Sequence, residues 1–231
     1  MKRFYKNVEI VESDGGWQVQ LDGRGVKTVK HAPQIAPTRA LADELAEEWS
    51  RQGEEIDPAS FRFRDPTDYA IDIVAPDPGE TIAKLLGFAE TDTLCYRADP
   101  EDALFVRQQE IWEPLVQAVE AREKITLHRI SGIMHKPQPE ASIARLKARL
   151  ESFDPFTLAG LFTLASLSAS LCIALEALED GADPIALWRA ASLEEEWQAD
   201  LWGRDHLAEE RRARRGDEFR HALEWLRLVR S

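Results

Sequence analysis

The residues best suited to acid–base chemistry or to ionic binding lie in two acidic clusters. In the first cluster, Asp92 precedes a predicted short strand that contains Arg97, so these two side chains are placed to pair or to flank a groove. In the second cluster, Glu194, Glu195 and Glu196 follow one another within Ser192–Gln198 of a predicted helix. Consecutive helical residues point about 100° apart, so the three carboxylates cannot all face water if that helix packs on a neighbour. Either they form a solvated face, or one of them is presented to a partner or held in a cleft.

The helical spacing of the second cluster separates its glutamates. Leu193, Trp197 and Leu201 recur at i, i+4 and i+8 and form an apolar stripe, which Glu194 borders. Glu195 and Glu196 point farther from the stripe. Paired carboxylates also serve general acid–base catalysis, but no complementary base, oxyanion donor or metal motif accompanies them.

Motifs of common enzyme and metal sites are missing from the sequence. It contains no G-x-G-x-x-G between a strand and a helix, no Walker-type Gly-Lys-Ser/Thr and no G-x-S-x-G. The cysteines Cys95 and Cys172 match no metal or redox spacing, which favours a reducing compartment. The histidines have no H-E-x-x-H spacing and are His31, His128, His135, His206 and His221. We therefore expect no cofactor and no metal.

The net charge of the chain limits the kinds of partner that it can bind. With 42 Asp+Glu against 29 Lys+Arg, the net charge of −13 disfavours nucleic acid and anionic membranes. Residues 155–175 carry no charge and are long enough to span a bilayer, but six polar or glycine residues and the acidic flanks Asp154 and Glu176 predict a buried helix. Residues 204–231 hold eight Arg and six Asp+Glu, so acid–base pairing along or between helices is expected there.

The elements that position these residues follow from periodicity. Alternating apolar residues over the first 30 positions, broken by Asp-Gly turns, predict a three-stranded antiparallel meander. A helix over residues 37–52 covers it, with Leu41, Leu45 and Trp49 on one face, and this spacing favours a core role for Trp49 over a functional one. Phe61-Arg62-Phe63 is a candidate further strand, and Asp65 is a candidate helix N-cap.

Helical patterns dominate the rest of the chain. The predicted helices are Thr81–Glu90, Glu101–Glu123, Pro139–Ser152, Pro155–Glu179, Pro184–Leu201 and Asp205–Val229. Pro114 is expected to kink the second of them or to start a new helix. The predicted fold class is α+β, with a small N-terminal antiparallel-sheet-plus-helix domain (1–75) and a larger all-helical C-terminal domain (76–231).

Several sequence blocks together resemble the assembly chaperones of the ATP synthase F(1) sector that act on the alpha subunit. In chain order the blocks are Arg3-Phe4-Tyr5-Lys6, Gly16-Trp17-x-Val19-x-Leu21-Asp22-Gly23-Arg24, Pro37-Thr38-x-x-Leu41-Ala42, Glu48-Trp49-x-x-Gln52, Glu90-Thr91-Asp92-Thr93-Leu94-Cys95-Tyr96-Arg97, Gln109-x-x-Trp112-x-Pro114-Leu115, and Leu193-Glu194-Glu195-Glu196-Trp197-Gln198 with Trp202-Gly203. The segment at 62–68 lacks the family's Met-Pro-Leu-Thr-like stretch, and Val29-Lys30-His31 lacks its usual Pro.

The resemblance implies a chaperone and not an enzyme. Such a protein binds the new alpha subunit before it meets the beta subunit and prevents its aggregation, and it needs no cofactor. The resemblance also implies that the functionally important acidic residue of the family corresponds to Glu195. The residues expected to bind the partner are Glu195, Glu194, Glu196, Gln198, Trp202, Asp92 and Arg97.

The sequence also bears on where the protein acts and on what else it could do. The absence of a transit peptide ahead of the first block favours the bacterial cytoplasm, with the mitochondrial matrix expected for eukaryotic relatives. A chaperone that acts one-to-one on its subunit is expected to be monomeric when free. One alternative is a hydrolase or isomerase that uses Asp92 and Glu195 as a carboxylate pair. It requires those side chains within about 10 Å of each other across a closed pocket. A further alternative is an acidic scaffold for some other protein.

Overall fold

The computed structural model describes residues 1–132 and 136–231, so His135 lies outside the described residues. The chain divides into two compact units, each built from more than one stretch of sequence. The first unit contains residues 1–78, 154–160 and 224–231, and the second contains residues 79–153 and 161–223. The division into domains 1–75 and 76–231 stays a prediction.

The first unit is built on an antiparallel sheet. Strands β1 (Val8–Ser13) and β2 (Gly16–Leu21) form a hairpin, and the short strands β3 (Arg24–Gly25) and β4 (Ile35–Ala36) both pair with β2. A Cβ on Gly16 would lie 2.1 Å from a backbone oxygen of β4, so the close approach of these strands requires glycine. The predicted sheet is confirmed, although its third strand has only two residues and the pattern did not mark β4.

Helix α1 (Arg39–Ser50) covers this sheet as predicted. The Thr38 hydroxyl caps it by accepting the backbone N–H of Leu41 at 3.2 Å. Its buried face includes Leu45 and Trp49, and the Trp49 ring packs against Tyr5 and Phe61. The core role predicted for Trp49 is therefore confirmed.

The segment after α1 departs from the prediction. Pro58–Ser60 is a single 3₁₀ turn, and residues 61–63 form no strand. The Glu48 carboxylate instead accepts the backbone N–H groups of residues 62–64 at 2.5, 2.7 and 3.0 Å. Helix α2 (Arg64–Tyr69) consequently begins before Asp65, which is not its N-cap. A carboxylate from α1 supplies the acceptor that local spacing assigned to Asp65.

The remaining part of the first unit is helical. A π-helical segment, Ala70–Val74, continues α2. The Trp225 indole N–H donates to the hydroxyl of the buried Thr67 at 3.0 Å, and the Trp225 ring stacks on Phe156. Residues near position 156 and near the C-terminus thus complete this core.

Helices and one small strand pair make up the second unit. The helices that follow residue 77 are α3 (Pro78–Glu90), α4 (Ala103–Glu123), α5 (Glu140–Glu151), α6 (Pro155–Ser168), α7 (Leu171–Glu176), α8 (Pro184–Ala191), α9 (Leu193–Trp202) and α10 (His206–Val229). The first part of α6 and the last part of α10 belong to the first unit. Strands β5 (Tyr96–Arg97) and β6 (Ile130–Ser131) pair in parallel. The core of this unit includes Trp112, Val116, Leu146, Leu150, Leu161, Leu164 and Phe219. The predicted α+β class, with a mostly helical C-terminal part, is confirmed.

Two helix predictions need correction, and one of the two alternatives for Pro114 is excluded. The long helix predicted from Pro155 breaks after Ser168, because Ala169 takes a left-handed conformation (φ 51°). The carbonyl of Ala169 accepts both the backbone N–H (3.1 Å) and the hydroxyl (3.0 Å) of Thr93. The helix predicted from Pro184 is divided at Ser192 into α8 and α9. Pro114 starts no new helix, since α4 runs through it.

The uncharged segment at 155–175 is mostly buried and helical, as predicted, but it forms two helices, α6 and α7, in place of one. Across the described ranges, no helix combines the length and the apolar character that a membrane span needs.

Candidate protein-docking surface

Helices α9 and α10 bring the glutamate triplet next to the arginines of the C-terminal segment. Arg215 Nη1 lies 3.4 Å from Glu195 Oε1, and Arg212 Nη1 lies 4.0 Å from Glu196 Oε1. Gly203 ends α9 with a positive φ of 97°, a conformation that favours glycine. The predicted acid–base pairing between helices is confirmed.

These two helices border an open groove of about 490 Å³. Its lining includes Glu195, Gln198, Trp202, Arg211, Arg212 and Arg215. The structure thus gathers three of the predicted binding residues, Glu195, Gln198 and Trp202, on one surface. Within residues 1–132 and 136–231, the Gln198 side chain has no hydrogen-bond partner, so its amide is available to a ligand.

Large apolar side chains are exposed at the end of this groove. The Trp202 side chain is 80% exposed, and Leu201 and Leu207 are 60% and 64% exposed. These three residues lie at the end of α9 and in the first turn of α10. Contiguous exposed apolar surface costs solvation free energy and usually marks a binding site.

Glu194 points away from the groove and anchors α9. Its carboxylate is half-buried and accepts a hydrogen bond from Gln108 Nε2 at 2.7 Å. Burial raises the pKa of the Glu194 carboxyl above its usual value, and the bond from Gln108 opposes this shift in part. Of the predicted apolar stripe, Leu193 is buried whereas Leu201 is exposed. Only the first turn of α9 is therefore packed into the core.

We expect Glu194→Gln to change how stability depends on pH. Because the folded-state pKa of Glu194 is raised, folding takes up protons, and this group's contribution to stability declines as the pH rises from about 4 through that pKa. The glutamine variant does not titrate and still offers Gln108 an acceptor. Its free energy of unfolding relative to the wild type should therefore increase between about pH 4 and pH 7 in urea titrations.

The exposed Glu218 on α10 provides the control for this experiment. The Glu218→Gln variant makes the same side-chain change on exposed surface, so the pH dependence of Glu194→Gln is compared with this variant as well as with the wild type. A constant difference between Glu194→Gln and the wild type would contradict the prediction.

Arg97 is buried in a polar network and does not pair with Asp92. Its guanidinium donates to the carbonyls of Leu94 (2.8 Å) and Gln108 (3.1 Å) and to Glu113 Oε2 (3.1 Å). The predicted pairing of Asp92 with Arg97 is therefore wrong. Gln108 links Arg97 to Glu194. Its backbone carbonyl accepts a hydrogen bond from Arg97, and its side-chain amide donates one to Glu194.

The sequence reasoning missed Gln108 and Glu113. Gln108 is fully buried on α4, and its Oε1 accepts the backbone N–H of Ala98 at 2.8 Å. Glu113 bridges Arg97 to Arg129, whose guanidinium donates to both carboxylate oxygens of Glu113. A signal for Gln108 exists in the sequence, since it lies four residues before the buried Trp112 on the same helical face.

Asp92 is completely buried and satisfies three donors. Its carboxylate accepts the Ser170 hydroxyl (2.7 Å) and the backbone N–H groups of Cys172 (2.9 Å) and Leu94 (3.0 Å). Burial raises the pKa of the Asp92 carboxyl, and these hydrogen bonds oppose that shift. Asp92 thereby ties the end of α3 to the start of α7.

The enzymatic alternative loses its geometric basis. Asp92 borders a closed void that has no room for a water molecule, and Glu195 does not line that void. Glu195 lies in the open groove, which Asp92 does not reach. A partner cannot contact Asp92 or Arg97 without local unfolding, because both are buried. That Asp92 and Arg97 take part in binding stays a prediction. Because both are buried, they would act by positioning other residues and not by contacting the partner.

Metal ligation has no candidate cluster in the described part of the chain. Among residues 1–132 and 136–231, no three or more His, Cys, Asp or Glu side chains are arranged to hold an ion.

An α+β scaffold that presents an open, charged groove beside exposed apolar side chains is typical of proteins that bind other proteins. Residues 2–120 match the family model of the ATP12 chaperone protein. The chain therefore belongs to the ATP12 chaperone family, and the resemblance to assembly chaperones of ATP synthase is confirmed.

Solved structures extend the similarity beyond residue 120. Atp12 from Paracoccus denitrificans is 35% identical with a TM-score of 0.94, and the match covers 99% of this chain and 98% of the other. The Atu1473 protein of Agrobacterium tumefaciens is 37% identical with a TM-score of 0.91, over 98% and 85% of the two chains. Protein atp12, mitochondrial, of Schizosaccharomyces pombe is 26% identical over 215 aligned residues, and the match covers 87% of this chain and 74% of that protein. The whole fold, including α9 and α10, is thus shared with bacterial relatives.

Proposed function

We propose that this protein binds the free alpha subunit of the ATP synthase F(1) sector and prevents its aggregation until the beta subunit takes its place. Membership of a chaperone family of ATP synthase assembly supports the general role. The observation that carries the specific proposal is the exposure of Trp202 and its apolar neighbours beside Glu195. A chaperone for a subunit interface must offer apolar surface of its own to cover the apolar surface that it protects.

The mechanism that we propose is mass action without catalysis. A chaperone that binds the free alpha subunit lowers the concentration of this aggregation-prone species. The size of the reduction depends on the affinity and the concentration of the chaperone. The beta subunit then displaces the chaperone by binding the same alpha-subunit surface. This cycle requires neither a nucleotide nor a metal, and it suits a protein that is monomeric when free and acts in the bacterial cytoplasm.

The proposed roles divide the predicted residues into two groups. Glu195, Gln198 and Trp202 line the groove and would contact the alpha subunit directly. The other residues would stabilise the helices that form this surface without contacting the partner. They are Glu194, Glu196, Asp92 and Arg97.

Affinity capture with purified subunits tests the proposal. The immobilised protein is expected to retain the alpha subunit when it is offered alone and to release it when the beta subunit is added. Light scattering of the alpha subunit should remain low at equimolar chaperone. Failure of the wild-type protein to retain the alpha subunit would overturn the proposed function.

We expect Glu195→Gln to weaken alpha-subunit binding by roughly tenfold, which is typical when a hydrogen bond to a charged group is weakened at an interface. The side chain is 57% exposed, so the melting temperature should remain within about 2 °C of the wild type. Isothermal titration calorimetry gives the affinity, and thermal unfolding gives the stability.

Glu218→Gln is the matched control, because Glu218 is an exposed glutamate on α10 that does not line the groove. It should bind like the wild type. Equal affinity of Glu195→Gln and the wild type would remove Glu195 from the interface while leaving the proposed function intact.

A further inference from the structure

Arg215 is held in the groove from three sides. Its Nη2 donates to the backbone carbonyl of Leu167 at 2.7 Å, and its Nη1 lies 3.4 Å from Glu195 Oε1. Its guanidinium carbon lies 5.4 Å from the centre of the Trp188 ring, within the range of a cation–π contact. These contacts fix the position of the guanidinium even though the side chain is 44% exposed.

Gly216 makes room for this arrangement. A Cβ at Gly216 would lie 2.8 Å from the indole nitrogen of Trp188, so only glycine lets the Trp188 ring approach α10 this closely. The Trp188 ring also packs against Phe219 one turn further along α10, with ring centres 5.8 Å apart. Trp188 is itself only partly buried, and the fully buried Phe219 supports it from the core.

Glu195 is the less constrained member of the ion pair. Within the described ranges Arg215 is its only polar partner, and the bond engages Oε1 alone. The other carboxylate oxygen has no donor in the part of the chain that the structure describes. An exposed ion pair of this length adds little to stability, so its main physical effect is to restrict the orientation of the carboxylate.

We propose that Arg215 is a positioning residue, which holds one oxygen of Glu195 and so presents the other to a hydrogen-bond donor of the partner. This inference rests on the proposed function, in which Glu195 contacts the alpha subunit. The donor is an N–H or O–H group or a cationic side chain and not an anion, because a carboxylate oxygen accepts hydrogen bonds and repels anions. Ordering the carboxylate before binding removes part of the entropy cost that the complex would otherwise bear.

A double-mutant cycle on alpha-subunit binding tests the proposal. Arg215→Gln is expected to weaken binding about three- to tenfold, the effect of losing one pre-ordered side chain. The same substitution in a Glu195→Ala background should change the affinity less than twofold, because no carboxylate remains to be held. Arg215→Lys keeps a cation beside Glu195 and should recover most of the loss.

The matched control is Arg220→Gln, which removes an exposed arginine of α10 that pairs with Asp217. It should bind like the wild type, and thermal unfolding should show all of these variants to be folded. Wild-type affinity of Arg215→Gln would overturn the inference alone. An equal loss with and without the Glu195 carboxylate would also overturn it, since Arg215 would then act only on helix packing. Absence of binding by the wild-type protein would overturn the proposed function and this inference together.

Discussion

Replacing Trp202 by alanine is expected to weaken binding of the alpha subunit by about 30- to 140-fold. Large aromatic side chains at the centre of an interface commonly contribute 2–4 kcal/mol to truncation scans, and 1.4 kcal/mol corresponds to a factor of ten, so the loss should be about 2–3 kcal/mol. Trp202 is the most exposed large apolar side chain among the described residues. It also lines the groove that contains Glu195.

Folding should hardly change in this variant. An exposed side chain buries little surface on folding, so the free energy of unfolding is expected to stay within about 0.5 kcal/mol of the wild type. Ile185→Ala is the matched control, since Ile185 is 59% exposed on α8 and does not line the groove. Titration calorimetry should show a loss for Trp202→Ala only. Equal affinities of the two variants would place the docking surface elsewhere.

The second strong effect is expected on stability, from Asp92→Ala. This substitution leaves the Ser170 hydroxyl and the N–H groups of Cys172 and Leu94 without their acceptor in a fully buried site. Each unsatisfied buried donor costs about 1–3 kcal/mol, and partial rearrangement reduces the sum, so a loss of about 3–5 kcal/mol in the free energy of unfolding is expected. Urea denaturation followed by circular dichroism measures it.

Two further variants separate hydrogen bonding from general effects of the substitution. Asp92→Asn keeps one acceptor oxygen and should lose less than the alanine variant. Asp180→Ala changes an exposed aspartate and should remain within about 0.5 kcal/mol of the wild type. A loss below about 1 kcal/mol for Asp92→Ala would contradict the structural role assigned to this carboxylate.

The spacing of apolar residues was sufficient to predict helices and strands wherever one element packs against the next element in the sequence. The alternation that marks β1 and β2 and the i, i+4 spacing of α1 both indicate a single apolar face. This face is mostly buried in β2 and α1, whereas Val8 and Ile10 of β1 are partly buried. The burial of Trp49 follows from the same rule. The glutamate triplet was recognisable for a similar reason, because helical spacing separates Glu194 from Glu195 before any neighbour is known.

Local pattern failed where a distant side chain replaces a local partner. The strand expected at residues 61–63 does not form because Glu48 accepts the backbone N–H groups of residues 62–64. The long apolar helix expected from Pro155 is interrupted at Ala169, whose carbonyl accepts a hydrogen bond from Thr93. Asp92 accepts the Ser170 hydroxyl and the backbone N–H of Cys172 at the start of the next helix. Periodicity contains no information about such partners.

The amino-acid sequence alone was enough for the fold class, the family and the acidic segment around Glu195, since these depend on residue order and helical spacing. The contacts of that segment depend on packing between residues far apart in the chain: Gln108 against Glu194, and Arg215 against Glu195. Tertiary structure therefore buries Glu194 and leaves Glu195 and Trp202 facing solvent. The physical reason is that a side chain's exposure is a property of what packs against it, and a helix with one apolar face can present either neighbouring edge to water.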